Sequence, residues 1–130
     1  FTLFLHSKLF IMSSIMSFVV GEKINITTAF NKHRDMDVQG ALNLLRMNGW
    51  AFYSWGAHSF TAVGKKALRL TVNGHHHKGH VYVCVNGADL YDYILTTSHG
   101  TIVSRETDVY FEDLFERMDT DIEKIAAYQR

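Results

Sequence analysis

Four histidines fall within six positions, His75, His76, His77 and His80, and Cys84 follows four residues later. Imidazole and thiolate are good zinc ligands. On an extended strand alternate side chains share a face, which places His80, Tyr82 and Cys84 together. Consecutive histidines cannot all turn toward one ion, so a zinc set here would be His75, His77, His80 and Cys84. The plainer expectation is a solvated hairpin tip with some affinity for nickel or zinc. Apart from that zinc, no cofactor is expected.

Carboxylates form a second group. Asp89 and Asp92, with Glu106 and Asp108 further along, could be an acid pair or a magnesium site. Carboxylates on strands are more often turn makers or exposed groups, and Asp89 directly follows the Asn86-Gly87 turn. No phosphate-binding loop, nucleophile elbow or dinucleotide fingerprint accompanies them. The neighbours His58 and Ser59 do not by themselves make a dyad, because catalytic partners meet in space rather than in sequence. No catalytic residue is assigned, and a metal-dependent enzyme around the histidines is the least favoured of three readings.

A third group is basic and aromatic. Lys65, Lys66, Arg69 and Lys78 are interleaved with Tyr53, Trp55 and Tyr82, a combination that could hold single-stranded nucleic acid by phosphate contacts and base stacking. Against it, the 130 residues carry 13 basic and 13 acidic side chains, so there is no overall pull toward a polyanion. The acidic segment from Glu106 to Glu123 offers carboxylates to a basic protein surface, although such a helix face is normally just solvated.

The elements that must position these groups belong to a single α+β domain spanning residues 1–130: an antiparallel β meander with a preceding helix and C-terminal helices packed on one face. A hydrophobic content of 47% against 20% charged residues suits a folded core. One cysteine excludes an intrachain disulfide and fits a reducing cytoplasm. With no proline, turns fall to Gly, Asn, Asp and Ser.

Residues 1–20 are strongly apolar, but the run is shorter than a bilayer span. Only Lys8 precedes the apolar run and no disulfide framework follows. A core-packing element, or a translated leader with Met12 or Met16 as an alternative start, is therefore favoured over a secretory signal. Its surplus apolar surface makes a homo-oligomer the expected state. Gly21 to Arg34 reads as a short strand, from the alternation of Ile24 and Ile26, running into a polar loop.

Asp35 or Asp37 then caps a helix whose Val38, Ala41, Leu42 and Leu45 share a face, and Asn48-Gly49 ends it. Trp50 to Ser54 and Ser59 to Val63 read as strands. Leu68, Leu70 and Val72 alternate with polar residues up to Asn73-Gly74, and Val81, Val83 and Val85 do so up to Asn86-Gly87. Asp89 to Thr97 and Thr101 to Ser104 complete the sheet. Thr107 or Asp108 caps a helix with Phe111, Leu114, Phe115 and Met118 on one stripe, and Thr120 with Glu123 suggests a second helix burying Ile122, Ile125 and Ala126.

The succession ALNLLRMNGWAFYSWGAHSF, ALRLTVN, VYVCVNGADLYDYIL and VYFEDLFERMDTDI resembles a group of small uncharacterised bacteriophage and mobile-element proteins. Gly56-Ala57, Phe60, Asp89-Leu90-Tyr91-Asp92 and Asp113-Leu114 carry the likeness. The histidine loop and the apolar N-terminus fall outside it. The resemblance implies a phage accessory protein in the host bacterial cytoplasm, with no activity to transfer. The leading expectation is a non-enzymatic, non-membrane protein that binds a host macromolecule, protein or nucleic acid, in a counter-defence role. A nucleic-acid module using Lys65, Lys66, Arg69, Lys78 and Tyr82 comes second.

Overall fold

The computed structural model describes residues 18–125. Most of the apolar N-terminal segment, on which the expected self-association rests, lies outside the described residues, as does Ala126.

Helix α1 spans Val38–Arg46. Of the two cap candidates it is Asp37 whose carboxylate accepts the Gly40 amide at 3.0 Å, satisfying a donor that the first helical turn leaves unpaired. Ala41, Leu42 and Leu45 are buried, as their three-and-four spacing requires. The Asn48 side-chain amide donates to the carbonyls of Leu44 and Leu45, and Gly49 (φ 54°) takes the left-handed backbone that ends the helix.

The strand expected over Trp50 to Ser54 is instead a single helical turn, α2, Trp50–Tyr53. The burial pattern gives the reason. Phe52 and Trp55, three apart, are both buried with rings 5.2 Å apart, whereas Trp50 and Tyr53 face outward. That is a period of three, which an alternating strand cannot supply.

Five antiparallel strands follow in sequence order: β1 His58–Val63, β2 Ala67–Asn73, β3 Lys78–Val85, β4 Tyr91–Thr96 and β5 Ile102–Val109. Short connections between neighbours permit only this up-and-down arrangement. Leu68 pairs with Val83 and Leu70 with Val81, and Val83 and Val81 pair in turn with Tyr93 and Leu95, so these side chains share one face. That face packs against α1, α2 and helix α3, Phe111–Ile122. Trp55 lies at its centre, stacked on Phe115 at 4.8 Å with its indole N–H donating to Asp119 at 2.9 Å.

β5 runs five residues beyond the expected Ser104, so Thr107 and Asp108 belong to the strand and the helix starts after Tyr110. The second C-terminal helix does not form among the described residues. Thr120 sits inside α3, bonded back to the Glu116 carbonyl, and Glu123 ends the helix by accepting the amide of His75.

The opposite face of the sheet is also buried. Ala67, Tyr82, Cys84, Ile94 and Ile102 pack there against Phe18, Ala29 and Phe30. The cover is residues 18–34, which form turns rather than the expected strand and touch the sheet by single bridges, Lys23 to Thr101 and Arg34 to Val85. β3 is thus buried on both sides, which explains why its apolar residues run almost unbroken from Val81 to Val85.

Candidate functional site

The histidine loop keeps His75 and His76 exposed, as a solvated tip would, but its backbone also docks on α3. Its His76 and His77 amides donate to the Ile122 carbonyl at 2.8 and 3.2 Å, satisfying the C-terminus of α3. Gly74 is required by this approach, since a Cβ there would lie 2.2 Å from the Ile122 oxygen. His77 is buried, its Nε2 3.3 Å from the His80 carbonyl oxygen, and burial holds its pKa below the usual imidazole value despite the carbonyls of His80 and Thr96. His80 meets the Thr71 hydroxyl at 3.1 Å, and burial, then the charges of Arg69 and His58, lower its pKa. His75 packs edge-on against His76. These rings and Cys84 do not converge on a common point.

The basic and aromatic group is dispersed as well. Tyr82 is 2% exposed, beneath the Phe30 ring at 5.8 Å, so it cannot stack on a base. The Lys66 ammonium donates to the carbonyls of Asn31 and His33 at 3.3 and 2.9 Å, and Arg69 is half-buried. Lys65 and Lys78 remain exposed without an aromatic platform between them.

Cys84 instead meets residues from elsewhere in the chain. Among the described residues one group of three metal-ligating side chains occurs, His33, Cys84 and Asp92, their donor atoms all within 4.8 Å of one another. Cys84 and Asp92 are register partners on β3 and β4, and Arg34 bridging to Val85 brings His33 over them. His33 Nε2 lies 2.9 Å from Asp92 Oδ2. A carboxylate only accepts, so this nitrogen carries the hydrogen. Asp92 Oδ1 accepts the Asn86 side-chain amide at 2.9 Å and the Asp108 backbone amide at 3.0 Å.

A bulge aims that last donor. Between Tyr91↔Val109 and Tyr93↔Glu106, β5 advances one residue more than β4, and Asp108 takes a left-handed conformation (φ 57°). The Cys84 thiol is fully buried, and desolvation followed by the Asp92 charge pushes its pKa up, which excludes a free nucleophile.

A different surface lies on the helical side. Met47, Trp50 and Tyr53, three apart around the α1–α2 junction, are 82%, 84% and 75% exposed. The Trp50 and Tyr53 rings meet edge-on at 6.3 Å and form a ridge. On one side of it lies a hollow of about 540 Å³ lined by Trp50, Phe115, Glu116 and Lys124, and on the other one of about 360 Å³ lined by Arg46, Tyr53 and Phe60. The Arg46 guanidinium sits over the Phe60 ring at 5.1 Å.

Sequence reading missed both places. Asp92 reads from the sequence as part of an acid pair or a magnesium site with Asp89, whereas His33 is 59 positions away and signals nothing locally. Trp50 and Tyr53 were legible as aromatic, but the strand reading gave them no common outward face. No family model, curated protein or solved structure matches this chain. Among the described residues no helix is long and apolar enough to cross a membrane.

Proposed function

We propose that this protein acts by docking a second protein through the ridge of Met47, Trp50 and Tyr53. The reading rests on Trp50 and Tyr53 being the most exposed aromatic side chains among the described residues, ahead of Tyr110 and Phe111 at 60% and 57%. Tryptophan, tyrosine and arginine are the residues that dominate binding energy at protein interfaces, because they bury much area at little entropic cost. Here Arg46 stands beside the ridge, and the flanking hollows offer room for a partner's apolar side chains.

A protein partner suits this surface better than nucleic acid, since the cation in the larger hollow, Lys124, is paired to Glu116 at 2.6 Å and leaves no surplus positive charge there to draw phosphate. The setting proposed with it is a phage-type accessory protein acting on a host macromolecule in the bacterial cytoplasm, in a counter-defence role. That setting is supported by the residue likeness alone.

A photo-reactive phenylalanine analogue at position 50, with the same analogue at exposed Ala88 as reference, tests the reading in bacterial cells. Position 50 should yield a discrete protein adduct that Tyr53→Ala removes, and position 88 should not. Adducts only between copies of this chain would replace the host partner with self-association. No adduct at position 50 would discard the ridge as a docking surface.

A further inference from the structure

The second face of the sheet carries a site independent of the ridge. We infer that His33, Cys84 and Asp92 form a binding site for a thiophilic divalent cation of the zinc class, which fastens residues 18–34 to strands β3 and β4.

The donor set selects this chemistry. A thiolate and an imidazole favour zinc-like ions over magnesium or calcium, which prefer oxygen. Cys84 as thiolate and Asp92 as carboxylate supply two negative charges to balance the cation where an uncompensated charge would be costly. The donors already lie within 4.8 Å of one another, so a small inward movement suffices, and His33 sits on a turn segment rather than in the sheet ladder. On binding, the Cys84 S–H bond breaks and its proton leaves to solvent, the hydrogen on His33 Nε2 passes to Nδ1, and the freed sulfur and Nε2 bond the metal beside Asp92 Oδ2.

The His33 ring is buried with one of its two nitrogens unmatched, so its present protonation is not locked by a partner on both sides. The His33 side chain is only 9% exposed, and its Nδ1 is buried with no hydrogen-bond partner among the described residues. Phe18 and Phe30 flank the ring at 5.5 and 5.9 Å and offer Nδ1 nothing polar. An unmatched buried nitrogen is an expensive thing to keep. The surrounding groups are those of a metal site's outer layer: Asn86 and the Asp108 amide hold Asp92, and the Lys66 ammonium holds the His33 carbonyl.

Cobalt(II) titration of the full chain without a polyhistidine tag tests this. Cobalt should give a near-ultraviolet thiolate-to-metal charge-transfer band that saturates at one ion per chain and is displaced by zinc. Cys84→Ser should abolish the band, Asn86→Ala should weaken binding about tenfold, and His75→Ala with His76→Ala should leave it unchanged. Since Cys84→Ser places a hydroxyl in a fully buried position, His33→Gln serves as a second variant and should also lose the saturating band. Absence of the band in the folded natural sequence, or its survival in both Cys84→Ser and His33→Gln, would overturn the site.

Discussion

The two faces of the sheet are closed by different means. On one, α1, α2 and α3 lay apolar stripes against Leu68, Leu70, Val81 and Val83 around Trp55. On the other, residues 18–34 hold on through two aromatic rings, isolated bridges and a polar cluster at His33 and Asp92. A helix satisfies its own backbone and brings a continuous stripe, whereas a cover made of turns must find side-chain partners for its polar groups. The regular side can therefore leave large aromatics over for a surface ridge, while the irregular side gathers an imidazole, a thiol and a carboxylate at one point.

Substitution of Trp55 should be the most damaging single change to the helical face. Trp55→Ala removes a fully buried ring stacked on Phe115 and leaves Asp119 without its indole donor, so a loss of about 3 to 5 kcal/mol is expected in denaturant unfolding. Phe30→Ala on the other face should cost about 3 kcal/mol. It should also free residues 18–34 to exchange amide hydrogens faster than α3, because a cover of few regular bonds opens locally. Equal acceleration in α3 would show that the two faces unfold as one and erase the contrast.

Gly74→Ala probes where sheet and helix are joined. Its methyl would strike the Ile122 carbonyl, and a loss of about 2 kcal/mol is expected, with fraying confined to the end of α3. A smaller effect concerns pH. The buried His77 has a folded-state pKa below its ordinary 6.5, so its ring must stay neutral for full stability. That contribution is present above the ordinary value and is lost as the pH falls through it toward the folded-state value. Between about pH 7.5 and 5.5 the natural chain should lose more stability than His77→Gln, as read from urea midpoints, and parallel curves would remove His77 from this role. Smallest of all, Trp50→Ala should change folding stability by no more than about 0.5 kcal/mol, although it should weaken partner binding by about 2 kcal/mol.

The sequence by itself determined the meander, α1 and the stripe of α3 in outline. Alternating valines and leucines between Asn-Gly turns leave little choice of strand, and Asp37 with its downstream stripe leaves little choice of helix. Local rules gave way at particular residues. Trp50 to Tyr53 have strand-like side chains, yet Gly49 resets the backbone and the core takes Phe52 and Trp55 at helical spacing. The polar pattern expected for the outer face also misled, because Tyr82 and Cys84 are covered by a segment with no strong period of its own.

Only tertiary structure decided what the reactive groups could do. It turned the histidine run into a cap for α3, drew Cys84 away from it and joined Cys84 to His33 and Asp92. The physical reason is range. Periodicity and turn chemistry act over a few residues and are written in each segment, whereas a site made across a sheet depends on which distant segment covers a hydrophobic face, and that is settled only when the whole chain competes to bury it.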